Sequence, residues 1–412
     1  DYFNQRNRTD WGDAINFDER NSGPVREFFL SNAGYWIREF HLDGLRLDAT
    51  QNIYDDSKDH ILAAICREVR EAAEGRFTIV VGENERQDPV LLRPPEMGGY
   101  GLDGLWNDDF HHTAIVALSG HNDAYYTDYL GSPQEFVSAA KYGFLYQGQH
   151  YKWQKKRRGS PAFGIHPAAF ITFIQNHDQV ANSARGERCH QLTSPGLYRA
   201  MTALMLLGPG TPMLFQGQEF AASSPFYFFA DQKSEIADLI REGRKEFLGQ
   251  WRSLKLPEMQ CCFADPGDVE TFEKSKLDHS ERDKHKEVFA LHRDLIRLRR
   301  EDPVFRAQRP RGVDGAVLSQ HAFVLRFFDE ANGDRILLVK LGFDLHLNPA
   351  PEPLPAPSKG GSWRKLFSTE DPDYGGYGTP PLETPENWRI PGHAAVALKP
   401  ASKQEKEEKK DG

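Results

Sequence analysis

Three acidic side chains follow short apolar runs: Asp48 in DGLRLDAT, Glu83 in TIVVGENE and Asp178 in ITFIQNHDQ. Arg46 lies two residues before Asp48, on the same face of an extended strand, and His177 directly precedes Asp178. Carboxylates drawn to one place repel, which raises at least one pKa and makes a neutral carboxylic acid available near pH 7. Splitting a glycosidic bond needs that division of labour, with one group protonating the leaving oxygen while an ionised one attacks the anomeric carbon. Arg46 is the cation that keeps a nucleophilic carboxylate ionised. Taken singly, each Asp is also an ordinary helix N-cap and Asn-His-Asp an ordinary turn. The information lies in the ordered set, with Arg and His at matching offsets.

The elements that must position these residues alternate. Apolar spacing predicts helices over 25–40, 59–73, 132–142, 196–207, 234–248 and 285–300. Between them, runs over 44–48, 77–83, 104–108, 170–178 and 211–215 read as buried parallel strands. Strand then helix, repeated, means a parallel sheet covered by helices. In a strand–helix barrel the C-terminal strand ends share one rim, where active sites are built. After residue 300 the texture changes, and 322–328, 336–341 and 394–398 read as strands of a small antiparallel domain. The proline-rich 349–357 is an extended loop, because proline cannot donate to a ladder. The run 273–287 reads as a solvated loop, GPGTP (208–212) as a turn needing positive φ, and the Lys/Glu-rich tail 401–412 as disordered.

Composition excludes several classes. The 412 residues carry 51 Lys plus Arg against 60 Asp plus Glu, a net charge of −9; that argues against nucleic acid, whose binders carry a basic face. No apolar run reaches the 18 or so residues of a membrane span, so no membrane partner is expected. The four cysteines (66, 189, 261 and 262) have no metal-ligand spacing, and a reduced, cytoplasmic compartment is expected.

DGLRLDAT, VGENE and FIQNHDQVAN resemble the second, third and fourth signature regions of glycoside hydrolase family 13, the α-amylase family. The resemblance implies Asp48 as nucleophile, Glu83 as general acid/base and Asp178 as transition-state stabiliser, with Arg46 and His177 holding the sugar ring. TDWGDAINFDE, GLWNDDFHH, KYGFLYQGQ, PMLFQGQEF, SPFYFFAD, IREGRKEF and FADPGDVETFEKSKLD are similar to the family's trehalohydrolase branch. This implies a retaining hydrolase that cleaves the α-1,4 bond beside the terminal trehalose of maltooligosyltrehalose, with no metal or cofactor in the chemistry. A glucan-branching transferase or ordinary α-amylase uses the same carboxylates and is the alternative. A non-catalytic glucan-binding relative is the other, although such proteins usually lose one carboxylate. The family's first signature should precede TDWGDAINFDE and is not present. The expected fold is therefore an α/β (β/α)8 barrel holding about strands 4 to 8 over 1–305, followed by an antiparallel β-domain over 306–400. The earlier strands are expected upstream of Asp1, in a longer protein.

Further candidates carry two readings each. Trp106, Asp108, Asp109 and His111 read as a wall of the trehalose-accepting subsite, with Trp stacking on a sugar, or as barrel packing with a helix cap. His111 and His112, adjacent on a helix, point to different faces, which disfavours a metal site. Tyr142, Phe144 and Tyr146 with Gln147 and Gln149 are a glucan groove or a packed loop, and Gln218 and Glu219 sugar contacts at the rim or structural residues. Trp11 is expected to pack. The sequence leaves the oligomeric state open.

Overall fold

The computed structural model describes residues 1–9, 12–348, 350–357, 361–382 and 388–401. Trp11 and all but the first residue of the charged tail lie outside the described residues. The chain divides into two compact units: Asp1–Asp108 with Tyr146–Tyr151 and Lys155–Ile171, and Asp109–Leu145 with Lys152–Gln154 and Thr172–Gly412.

In the first unit, strands Gly44–Leu47, Ile79–Gly82 and Gly104–Trp106 run parallel in that order, and Leu105 and Trp106 pair in turn with Phe170 and Ile171. Gly44 opens the first strand because a Cβ there would stand 1.9 Å from the Ile79 carbonyl oxygen. Helix Ile61–Ala72 buries Ile61, Leu62, Ile65 and Val69 along one stripe. The His60 ring caps its start by accepting the Leu62 N–H at 3.2 Å. Helix Gly23–Arg38 starts with proline in its first turn, where a missing N–H costs nothing. An antiparallel hairpin, Phe3–Thr9 with Gly12–Ile15, was not anticipated.

In the second unit, helix Pro195–Leu207 is buried continuously from Tyr198 to Leu207. Its N-cap Ser194 accepts from Leu197 N–H. It packs with Leu291 and Leu295 of helix Lys286–Glu301 against Phe323, Leu325, Leu337 and Val339. Those four residues belong to a five-stranded antiparallel sheet ordered Val313–Ser319, Ala322–Phe327, Arg335–Lys340, Ala394–Pro400, Trp363–Ser368. The sheet's other face holds Val324, Ile336, Leu338 and Val396 against Leu347 and Ile390, which belong to the paired strands Leu345–Leu347 and Trp388–Ile390. Covered on both faces, the central strands read as unbroken apolar runs.

Several expectations need correction. Residues 104–108 are strand only to Trp106, and Asp108–Ser119 is a helix. The run 170–178 is strand only to Thr172; Asn176 then caps helix His177–Ala181 by accepting the Gln179 N–H at 2.8 Å. Asp178 therefore stands in the first turn of a helix. Residues 273–287 are not one solvated loop: Val269–Ser275 and Glu281–Lys284 are helical, and Glu281 is buried, accepting from the Ser223 N–H and hydroxyl. The GPGTP turn needs no positive φ, since Gly208 sits at −63°. Arg299 holds it instead, donating to the Leu206, Gly208 and Gly210 carbonyls, and burial lowers that guanidinium to about 10. No helix among the described residues is long and apolar enough to cross a membrane, and all four cysteines are free thiols.

Candidate active site

Asp48 and Glu83 are the residues directly after two neighbouring parallel strands, so the sheet carries both to one edge. Arg46 joins them. One of its terminal nitrogens donates to Asp48 Oδ1 and the other to Glu83 Oε2, at 2.8 Å for the second. Charge-assisted bonds to both arms of one guanidinium fix the carboxylates against a single rigid plane. That plane rests on the indole of Trp106, with the guanidinium carbon 4.3 Å from a ring centroid. The Asp48 side chain is 73% exposed and that of Glu83 only 27%. An attacking group open to substrate beside a half-shielded proton donor suits the division of labour expected of them.

The backbone makes the pair rigid. Ala49, directly after Asp48, takes φ 44°, a conformation non-glycine residues rarely adopt. There its N–H reaches Glu83 Oε2 at 3.0 Å. Thr50 then donates its N–H and its hydroxyl to the Glu83 carbonyl at 2.9 and 2.6 Å, and Glu83 N–H donates to Leu47. Asn84 adds a bond from its amide to the Thr50 hydroxyl at 3.0 Å. Sequence reasoning missed Ala49, Thr50 and Asn84; their signal was the small and hydroxyl residues immediately after the Asp48 signature and the amide immediately after Glu83.

Asp108 lies in the same unit, with Arg158 Nη2 at 3.7 Å from its carboxylate. Arg158 is buried and stacks 4.8 Å over Tyr151. This buried cation, in a basic run the sequence reading left aside, is a further missed residue.

In the second unit, His177 Nε2 lies 3.3 Å from Asp178 Oδ2, and both side chains are about half exposed. Arg244 anchors the far end of their helix, donating to Asn182 Oδ1 at 2.8 Å and to the Ala181 carbonyl. It stacks over Phe228 and Phe247. Burial pulls its pKa down to about 10, against the smaller upward pull of Tyr125 and Asp178. Arg244 lies in IREGRKEF, a segment recognised without a role for its arginine.

Three expected sugar contacts are not at an accessible surface. Trp106 is buried at 7% exposure, with the Arg46 guanidinium stacked on its ring. Asp109 is fully buried, accepting from the Tyr129 hydroxyl at 2.6 Å and the Leu145 N–H at 2.7 Å. Gln218 is fully buried too and accepts from Phe215 N–H. Glu219 is partly exposed, 3.9 Å from Arg282. Phe144 is core, while Tyr142 is exposed. His111 is fully buried; desolvation drives its pKa to about 3 and keeps the ring neutral. Among the described residues no cluster of three metal-ligating side chains occurs.

A family model described as a domain of unknown function, DUF3459, matches residues 310–396. The malto-oligosyltrehalose trehalohydrolase of Deinococcus radiodurans is 38% identical over 351 residues, covering 83% of this chain and 55% of that protein. The one from Saccharolobus solfataricus is 36% identical over 301 residues, covering 73% and 50%. The chain thus spans about half the length of the curated relatives it matches. The crystal structure of a candidate α-amylase from Salmonella typhimurium superposes with a TM-score of 0.80 at 28% identity, over 97% of this chain and 64% of that one. The α-amylase structure from H. orenii, 17% identical at TM-score 0.56, shares the fold. Strand-end carboxylates on a parallel sheet and these likenesses together place the chain in the α-amylase family of glycoside hydrolases. Within that family it is similar to the malto-oligosyltrehalose trehalohydrolases.

Proposed function

We propose that this protein hydrolyses, with retention, the α-1,4 bond joining a maltooligosaccharide to a terminal trehalose, and so releases trehalose. The observation that carries the chemistry is the single Arg46 guanidinium bonded to both Asp48 and Glu83. Two carboxylates sharing one guanidinium are compatible with the roughly 5 to 5.5 Å spacing of retaining enzymes. The substrate end rests on the 35–38% identity to named trehalohydrolases.

Asp48 attacks the anomeric carbon as the bond to the leaving oxygen breaks, and Glu83 gives that oxygen its proton. Glu83 Oε2 is engaged by Arg46 and the Ala49 N–H, which holds the carboxyl group in place beside Asp48. The covalent glycosyl intermediate on Asp48 is then opened by water, whose proton returns to Glu83. Asp178 hydrogen-bonds sugar hydroxyls more strongly as the ring flattens, with His177 beside it. Trp106 supports Arg46, and Asp108 and Glu219 contribute polar groups to sugar binding. The strands at 44–47, 79–82, 104–106, 170–172 and 211–212 are read as the fourth to eighth of a (β/α)8 barrel over 1–305, with the β-domain over 306–400. A cytoplasmic setting is supported by the four free thiols.

The test gives the full-length protein a maltooligosyltrehalose and, separately, a plain maltooligosaccharide of equal length. Trehalose from the first with little cleavage of the second is expected. Equal cleavage of both, or glucan transfer, moves the assignment to an α-amylase or a branching enzyme.

A further inference from the structure

A cavity of about 280 Å³ lies wholly within the second unit, against the helix that carries Asp178. Asp178 is not part of its lining; the next residue, Gln179, is. Two buried polar groups line the cavity with their bonding unfulfilled among the described residues. His111 is fully buried and neither ring nitrogen has a hydrogen-bond partner. Gln175 is 1% exposed; its oxygen accepts the Cys189 N–H at 3.0 Å, while its amide nitrogen has no partner. A buried polar group left unmatched is unfavourable, so two at one cavity mark a place built to receive a polar molecule.

The remaining lining says which kind. Trp251 and Tyr126 give it aromatic faces, and Asp123 and Glu187 give it carboxylates. Among the described residues no lysine or arginine lines it, and His111 is neutral at physiological pH. An anion would meet the Asp123 and Glu187 carboxylates here, with no lysine or arginine in the lining among the described residues to offset them. A neutral ring with apolar faces and hydroxyl edges meets matching chemistry: stacking on indole and phenol, and hydrogen bonds to imidazole, amide and carboxylate. The volume lies at the lower end of ligand pockets, roughly 300 Å³, so it holds one ring and not an oligosaccharide.

We propose that this cavity, whose lining includes neither Asp48 nor Glu83, binds a single neutral pyranose. Because Gln179 adjoins Asp178 on one five-residue helix, an occupied cavity bears on the helix that presents Asp178.

Calorimetric titration of the full-length protein with D-glucose, and separately with glucose 6-phosphate, tests this. Glucose is expected to bind, and glucose 6-phosphate at least tenfold more weakly. Trp251→Ala should weaken glucose binding tenfold or more, while Trp251→Phe retains it within threefold. Ser183→Trp, at another lining position, should block the same binding by occlusion even if Trp251→Ala fails to fold. Glu83→Gln should leave it unchanged. No binding of glucose, equal binding of the phosphate ester, or binding lost in Glu83→Gln but intact in Ser183→Trp overturns the proposal. Trehalose release is assayed separately, so either reading fails without the other.

Discussion

Arg46 lies 4.3 Å over the Trp106 indole while its two terminal nitrogens hold Asp48 and Glu83. The aromatic face supports the guanidinium from below and leaves its in-plane donors for the carboxylates. A lysine at this position has a charge of the same sign but no planar fork.

Arg46→Lys is therefore expected to lower kcat roughly a hundredfold by loosening the pair. Asp48→Asn and Glu83→Gln should each lower it by about a thousandfold or more, since each removes a bond-making or proton-carrying atom. Steady-state kinetics on maltooligosyltrehalose checks the ranking. Near-normal turnover in Glu83→Gln would remove it as general acid.

Ala49 at φ 44° makes a second expectation. Glycine adopts that conformation freely, so Ala49→Gly should leave folding stability unchanged or raise it by up to about 1 kcal/mol. Ala49→Val places a branched Cβ in the same conformation and should cost about 1–3 kcal/mol. Urea unfolding midpoints separate the two variants, and a more stable valine variant would contradict the geometry.

Two buried histidines, His111 and His292, and the half-buried His190 set an acid limit. Desolvation lowers His111 to about 3 and both His190 and His292 to about 4, whereas an unfolded histidine titrates near 6.5. Below that value the unfolded chain binds protons the folded one refuses, so stability is full above about pH 6.5 and falls as pH drops toward 4. Between those limits unfolding takes up as many as three protons, a slope of up to about 4 kcal/mol per pH unit. Denaturant titrations at pH 7, 6 and 5 should show the decline, and His292→Phe should flatten it by about a third. A flat profile would show that these rings are solvated.

Arg199 and Glu370 form a buried pair at 2.6 Å, each side chain less than a tenth exposed, and Arg199 also donates to the Thr369 carbonyl. Arg199→Met leaves the Glu370 carboxylate buried without its cation and should cost about 3–5 kcal/mol. Adding Glu370→Leu should recover most of that loss, as a double-mutant cycle by thermal unfolding would show.

The parallel strands and most long helices were legible because their apolar spacing survives without context. The extent of the helix Asp108–Ser119 was not, since Asp109, His111, His112 and Thr113 are all buried and no polar face marks its period. Val313–Ser319 was hidden by Asp314 and Gly315, and Trp363–Ser368 by basic residues and a register shift near Lys365. At the site, the acidic residues after the strands at Asp48 and Glu83 were readable, as was Arg46 as a partner of Asp48. Its second bond, to Glu83, was not: it spans 37 positions, and only strand register brings those ends together.

Thr50 binds the Glu83 carbonyl twice, and Glu83 returns its N–H to Leu47. The loops after the two strands are thereby spliced into one piece at the level of the main chain. A displacement of one is handed to the other, so the gap between the proposed nucleophile and proton donor is held more closely than the position of either. Heating or a distant substitution then carries the two carboxylates along together, and on the proposed mechanism the stereochemical outcome outlasts losses in rate.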